Sequence, residues 1–204
     1  KRRGCCKPHL LLRVLEDVVV PAELPQGPAL EDLLDQSSWV AAMGYSPGDK
    51  EPELGRPFAW TAGKTLFKWF SSIGLDEEAF REKVYMSAVC RCFPGKNPKG
   101  GDRVPSQPEI DTCAKWLNTE IELLQPKLIL PVGKLAIQQY LNFDKLVEVI
   151  GRQFEQQVNG VDVDIIPLPH PSGASTWHRM EPGKTLLEKA LVLIKEHESW
   201  RGLT

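Results

Sequence analysis

Four short apolar runs, each ending in a turn rich in small or polar residues, constrain the fold of this chain more than any other feature. They are Trp39-Val40-Ala41-Ala42-Met43, Val84-Tyr85-Met86-Ser87-Ala88-Val89-Cys90, Lys127-Leu128-Ile129-Leu130-Pro131-Val132, and Val161-Asp162-Val163-Asp164-Ile165-Ile166-Pro167. Such runs are of strand length and β-branched residues recur in them, whereas the stretches between them repeat with helical spacing. Thr61 to Ile73 places Leu66, Phe67, Phe70 and Ile73 on one face and stops at Gly74. Ser106 to Leu124 opens with an N-cap serine and Glu109 at the capping-box position. Lys134 to Leu141 reads as a short helix and Glu181 to Glu198 as a long amphipathic one. Phe154 to Val158 and the run from Val161 flank Asn159-Gly160, the dipeptide preferred in a two-residue hairpin turn. Strands alternating with helices predict an α/β fold: a three-layer α/β/α sandwich around a central, mostly parallel sheet of four to five strands. A length of 204 residues suits a single domain over 1–204, with an N-terminal segment (1–38) and a core (39–200). Within the first segment, Leu10 to Val20 is apolar enough for a helix or a strand, Pro21 to Pro28 reads as a loop, and Ala29 to Asp35 as a helical turn.

In an open parallel sheet, ligands sit beyond the C-terminal ends of the strands. Each polar segment of interest falls there: Gly44 to Gly48, the loop after Cys90, Gly133, and His170 to Ser175. The last is the most informative. His170 stands between Pro169 and Pro171 and is therefore rigidly held. Ser172, Gly173 and Ser175 behind it offer small side chains and backbone amides able to approach a phosphate chain; a plain polar turn is the alternative. Two Gly-Lys-Thr triplets, at Gly63 and Gly183, do not form phosphate loops, because Phe58 and His178 occupy the positions of the earlier glycine that motif requires.

A net charge of −2 gives no global electrostatic case for nucleic acid, but the basic residues are unevenly placed. Lys1, Arg2, Arg3 and Lys7 open the chain, and Arg91, Lys96, Lys99 and Arg103 share one Pro/Gly-rich loop, which reads either as solvated or as a basic patch. No apolar run reaches membrane-spanning length, so a cytoplasmic protein with no membrane association is expected. The chain begins at Lys1 rather than at a methionine, which leaves room for residues upstream. Five cysteines are an odd count and argue against a complete disulfide framework. They cluster as Cys5 with Cys6, Cys90 with Cys92, and Cys113, and three of them adjoin Lys or Arg, which favours thiolates. Soft thiolate sets select zinc or iron–sulfur centres, and no zinc-finger spacing is present.

Taken in order, these motifs resemble those of the uracil-DNA glycosylase superfamily, most closely its iron–sulfur-containing bacterial and archaeal branch, often called family 4. That branch opens its active site with a Gly-Glu-(Ala/Gly)-Pro-Gly turn, an acidic loop and Gly-Arg-Pro-Phe. The corresponding residues are Gly44-Tyr45-Ser46-Pro47-Gly48, Asp49 to Glu53, and Gly55-Arg56-Pro57-Phe58. Ala62-Gly63 matches the start of its next helix, and Arg91-Cys92-Phe93-Pro94 its Lys-Cys-Arg-Pro-Pro element. Pro108 to Cys113 matches a Pro-x-x-x-x-Cys helix start, and His170-Pro171-Ser172 the final His-Pro-Ser motif. The resemblance runs from about Trp39 to Trp200.

The resemblance implies a base-excision-repair hydrolase that removes uracil from single- or double-stranded DNA and acts as a monomer. In such an enzyme the base leaves the stack for a pocket. Phe58 is then the stacking platform, and His170 the donor to a carbonyl of the departing base. Tyr45 and Ser46 stand in the water-activating turn, and Gly44, Pro47 and Gly48 line the sugar and base, with Ser87 and Ala88 at the base edge. Ser172, Gly173, Ser175 and Arg179 face DNA phosphates, and Trp177 takes the place of the wedge that fills the vacated gap. A structural [4Fe-4S] cluster is implied on Cys5, Cys6, Cys92 and Cys113, with Cys90 as an alternative ligand because adjacent cysteines strain to share one cluster. The chain also departs from the family pattern. Tyr45 replaces a glutamate, Ser46 offers neither carboxylate nor amide, and Ala88 stands where an asparagine reads the uracil edge, leaving Ser87 to compensate. Asp49 and Glu51 are nearby carboxylates, and Tyr45 is placed to crowd the C5 position and exclude thymine. These departures leave open a preference for another deaminated base, hypoxanthine or xanthine, or a catalytically weak DNA-binding homologue.

Overall fold

The computed structural model describes residues 12–15, 18–21, 40–44, 46, 57–91, 93–98, 100–173 and 175–204. Within the apolar N-terminal stretch, β1 (Leu12–Leu15) pairs antiparallel with β2 (Val18–Pro21), so the described residues there are strand rather than helix. The expected helical turn at Ala29 to Asp35 lies outside the described residues.

The chain then enters β3 (Val40–Gly44), and helix α1 (Thr61–Ser71) returns it to the other end of the sheet. Gly74, at φ +100°, lets the Leu75 amide reach back to the Phe70 carbonyl at 3.1 Å and closes α1. A further helix that the periodicity did not announce, α2 (Glu77–Lys83), is capped by Asp76, whose carboxylate accepts from the Ala79 amide at 2.9 Å. Strand β4 (Tyr85–Ala88) precedes α3 (Gln107–Leu124), which begins with the expected capping box at Ser106 and Glu109. Arg103 grips the same Glu109 carboxylate at 2.7 Å and, with the Ser106 bonds, lowers its pKa to about 2. The chain continues through β5 (Leu128–Pro131), α4 (Lys134–Ile137), β6 (Phe154–Val158), β7 (Val161–Ile165), α5 (Gly183–Glu196) and α6 (Glu198–Arg201). The β6–β7 turn is Asn159 at φ +51° and Gly160 at φ +80°, the two left-handed residues of a type I′ hairpin.

Among the described residues, five strands form one sheet in the order β4-β3-β5-β7-β6, parallel except for β6. Its centre is fully apolar: Val40, Ala42, Leu128, Ile129, Leu130 and Ile165 have no exposed surface. From β3 the chain crosses outward to β4, and from β4 it crosses back over β3 to β5. Right-handed crossovers in opposite directions put α1 and α3 on opposite faces of the sheet. The chain leaves β3 toward one edge and β5 toward the other, so a crevice opens between the ends of these two strands.

Candidate active site

Ala88, Gly44, Gly133 and His170 stand in that order along the C-terminal edge of the sheet, at the ends of β4, β3 and β5 and just past β7. Two aromatic rings close on the glycines. A Cβ on Gly44 would lie 2.9 Å from the Cζ of Phe58, and one on Gly133 would lie 2.9 Å from the Cδ2 of His170. Each glycine is therefore a seat for a ring, and Gly133 also holds a left-handed φ of +89°. The row straddles the crevice, with Phe58 over one lip and His170 over the other.

The His170 loop is built locally. The parallel ladder extends past β7 through Val132 and Leu168, and the Gly133 amide donates to the Leu168 carbonyl at 2.8 Å. Two prolines then hold His170, and its Nδ1 accepts the backbone N–H of Ser172 at 3.2 Å. An accepting Nδ1 fixes the neutral tautomer with its proton on Nε2. Burial, and secondly the neighbouring His178, lower the His170 pKa and keep the ring neutral. Ser175 closes the loop, its amide donating to the Ser172 carbonyl at 3.0 Å, with Gly173 exposed between them. His178 is buried and meets the Trp69 ring of α1 edge-on at 5.2 Å. Its own pKa is lowered by burial and then by Arg179. Trp177 is half-buried and packs on the core, with Gly183 seated so closely that a Cβ would stand 2.0 Å from the Trp177 carbonyl. Arg179 beside it is exposed.

The Phe58 side is built at a distance. Phe58 is a non-glycine residue at φ +53°, a conformation costing about 1–2 kcal/mol. Its carbonyl is given room on one side and gripped on the other. A Cβ on Gly63 would lie 1.7 Å from that oxygen, which explains the glycine of the Ala62-Gly63 pair. The guanidinium of Arg81, on α2, donates from Nη1 to the Pro57 carbonyl at 3.0 Å and from Nη2 to the Phe58 carbonyl at 3.5 Å. Arg81 was not singled out in the sequence, where the Glu77 to Arg81 spacing and the Asp76 cap were the available signals of its helix.

Ser87 and Ala88 part to opposite faces of the sheet. Register pairs Gly44 with Ala88, so the Ala88 methyl projects from the face on which Phe58 packs, and Ser87 projects from the other. The Ser87 hydroxyl donates to Glu120 of α3 at 2.7 Å, and Arg91 pairs with the same carboxylate oxygen. Burial, then Glu120, raises the pKa of neighbouring Tyr85 well above its ordinary value. The basic loop is likewise engaged within the protein: Arg103 holds Glu109, and Lys96 pairs with Asp102 at 3.2 Å.

Of the remaining site residues, Ser46 is half-buried just past β3, and Tyr45, Pro47 and Gly48, with Asp49 and Glu51, lie outside the described residues. So do Cys5, Cys6 and Cys92. Cys90 and Cys113 come together, both fully buried in a small apolar cluster with Val89, Ile110 and Ala136. Among the described residues no group of three or more Cys, His, Asp or Glu is assembled for a metal, and no helix is long and apolar enough to cross a membrane.

The model of the uracil DNA glycosylase superfamily matches residues 32–194. The Type-4 uracil-DNA glycosylase of Archaeoglobus fulgidus is 31% identical over 143 residues, 68% of this chain and 67% of that protein. The Type-4 uracil-DNA glycosylase of Sulfurisphaera tokodaii is 29% identical over 141 residues, 66% of this chain and 60% of that protein. The Type-5 uracil-DNA glycosylase of Pyrobaculum aerophilum is 27% identical over 151 residues, 68% of this chain and 63% of that protein. The chain thus spans between 60% and 67% of the length of these relatives.

Proposed function

The chain belongs to the uracil DNA glycosylase superfamily, and on that footing we propose that it hydrolyses the N-glycosidic bond of uracil in DNA as a monofunctional repair enzyme, leaving an abasic site. The observation that carries this reading is the His170 imidazole, neutral by tautomer and by burial, seated on Gly133 at the lip of the crevice opposite Phe58. As the glycosidic bond breaks, its electron pair leaves with the base, and negative charge grows on the carbonyl beside the departing nitrogen. A donor preorganised for that oxygen stabilises the transition state more than the ground state. The Nε2–H of His170 is that donor. A neutral imidazole serves better than a charged one would in a buried loop, because no counter-ion is needed before the reaction begins.

Phe58 stacks on the extruded ring from the Gly44 side. Ser46, with Tyr45, Gly44, Pro47 and Gly48, is assigned to the sugar and the attacking water by its match to the family's motif. The Ser172 and Ser175 amides are engaged within the loop, by His170 Nδ1 and the Ser172 carbonyl, so the Gly173 amide and the Ser172 and Ser175 hydroxyls are what this loop offers the phosphates; Arg179 adds a charge-assisted contact, and Trp177 borders the gap left in the stack. The enzyme works on single or double strands as a monomer, in the cytoplasm of a bacterium or archaeon.

The cysteines fit a thiolate-bound cluster in part. Buried Cys113 and Cys90 share one apolar nest next to the loop that carries Cys92. Cys92 and Cys113 would hold a [4Fe-4S] cluster with Cys5 and Cys6, Cys90 being the alternative ligand. Bound there, the cluster would supply a structural pin for the N-terminal segment rather than redox chemistry.

A second reading has its own support. The Ala88 methyl shares the sheet face of Phe58 while Ser87 is turned away toward Glu120, so a base stacked on Phe58 would meet a methyl rather than an amide at this position. This favours a wider pocket that accepts hypoxanthine or xanthine. Incision of single- and double-stranded oligonucleotides carrying each base, after alkaline cleavage of abasic products, separates the readings. Uracil cleaved fastest supports the first, and a purine cleaved fastest supports the second. Salt-sensitive DNA binding without any product would leave a binding protein that keeps the fold.

A further inference from the structure

We infer that Arg81 is a positioning residue for base stacking: it sets the angle of Phe58 by holding the two carbonyls of the turn from which the ring projects. The inference rests on the proposed role of Phe58, and its own support is geometric.

Arg81 lies on α2, outside every motif of the pocket, yet only 7% of its surface is exposed. Each part of its guanidinium is engaged. Nε donates to Glu77 at 2.9 Å, Nη1 to the Pro57 carbonyl at 3.0 Å, and Nη2 reaches the Phe58 carbonyl at 3.5 Å. The guanidinium carbon lies 4.5 Å from the centre of the Phe67 ring on α1, a cation–π contact that adds to its restraint. The rigid fork of an arginine can meet successive carbonyls at fixed spacing, whereas a lysine ammonium cannot.

The turn needs such a clamp. Phe58 sits in the left-handed region at φ +53°, where a bulky L-residue is disfavoured and reverts unless its surroundings over-determine it. Gly63 leaves room beneath the Phe58 carbonyl, and Gly44 leaves room beneath the ring. Both glycines permit the conformation, and neither enforces it. Arg81 supplies the enforcing contact, since release of the two carbonyls allows the Phe58 backbone to relax to a negative φ and swings the ring off its seat on Gly44.

The test is a double-mutant cycle on Arg81 and Phe58, read as single-turnover cleavage of a uracil-containing single strand at saturating enzyme. In parallel, affinity is measured for the same strand with a tetrahydrofuran abasic analogue, which has no base to stack. Arg81→Met should cleave about tenfold more slowly while binding the abasic analogue normally, and Phe58→Ala should be slower by a similar or larger factor. The double variant should match Phe58→Ala within about twofold, because Arg81 has no ring left to position. Arg81→Lys, which keeps the charge but loses the rigid fork, should recover part of the rate and serves as the test variant if Arg81→Met melts below the assay temperature. Losses that multiply in the double variant, or a wild-type rate in Arg81→Met, overturn the inference. A wild-type rate in Phe58→Ala instead overturns the stacking role on which it rests.

Discussion

The two lips of the crevice are built by opposite means. On the His170 side every determinant is within a few residues or one ladder step: two flanking prolines, the Ser172 amide two positions on, and Gly133 joined to Leu168. On the Phe58 side the ring is held by Gly44 from the preceding strand, Gly63 from the following helix, and Arg81, which is 24 and 23 positions beyond the carbonyls it grips. A locally built donor keeps its geometry when neighbouring helices shift, whereas a stacking ring assembled from three elements depends on their docking. Catalytic donation and base recognition are therefore separable by mutation.

The largest expected effect comes from removing the local donor. His170→Ala should slow single-turnover cleavage by about 10²–10³-fold, the usual cost of deleting a donor to a developing oxyanion. Its melting temperature should stay near that of the parent, because the prolines and the Leu168 ladder bond remain. Acid does the same thing reversibly. Folding lowers the His170 pKa below its ordinary value of about 6.5. The neutral form that accepts from Ser172 therefore persists at neutral pH, and activity falls as pH drops through the lowered value. The associated stability has the same sign: above pH ~6.5 it is complete, and it is lost as pH falls through the folded pKa, where the native state must take up a proton it disfavours. A rate profile that is flat from pH 7 to about 4 on a folded enzyme contradicts the assignment.

Below the row of ring seats lies a third region that belongs to neither lip. Glu120→Ala strands the Arg91 guanidinium and should cost about 3 kcal/mol, reduced somewhat because Arg91 is partly exposed, and lower the melting temperature by roughly 10 °C. Ser87→Ala removes one charge-assisted hydrogen bond, about 1.5 kcal/mol, and should leave the cleavage rate of the folded enzyme unchanged. A rate loss in Ser87→Ala without a melting shift would return Ser87 to the base edge.

Gly133→Ala tests how tightly the His170 seat is drawn. It meets both a left-handed backbone and the His170 ring, so it should lose about tenfold in rate in addition to roughly 1–2 kcal/mol of stability. Gly100→Ala is its control. Gly100 has φ +91° but, among the described residues, nothing within 4 Å of an added Cβ, so only the backbone cost applies and the rate should hold.

What could be read from the residues follows the same division. The strand runs, the capping box at Ser106 and Glu109, the Asn159-Gly160 turn and the rigid His170 loop are all determined by near neighbours, and each stands where local chemistry put it. Arg81, Glu120 and Arg91 were not legible because a buried arginine and an exposed one look alike until the partner's position is known. The loop basics teach the same lesson. Arg91, Lys96 and Arg103 read either as solvated or as a basic patch, and the fold gives each a carboxylate partner, Glu120, Asp102 and Glu109 in turn. Ser87 beside Ala88 looked like a substitute for the missing amide, yet strand alternation alone sends it to the opposite face.

The smallest expected effect distinguishes positioning of DNA from recognition of the base. Arg179 is exposed at the end of the short turn Trp177–Arg179, and its Nε contact to His178 Nε2 is long, at 3.4 Å, so the guanidinium is only weakly committed within the protein. If it contacts a phosphate, Arg179→Ala should weaken binding of uracil-containing and undamaged strands by the same few-fold factor. The slope of log affinity against log salt should shrink by about one, and the cleavage rate at saturating enzyme should not change. Binding that falls only for the damaged strand would place Arg179 at the base rather than the backbone. It would also make the His170 loop, rather than the Phe58 side, the principal reader of the lesion. Trp177→Ala completes the comparison: a wedge would slow cleavage in duplex but not in single-stranded DNA, whereas the packing of Trp177 against the core and Gly183 predicts equal losses in both.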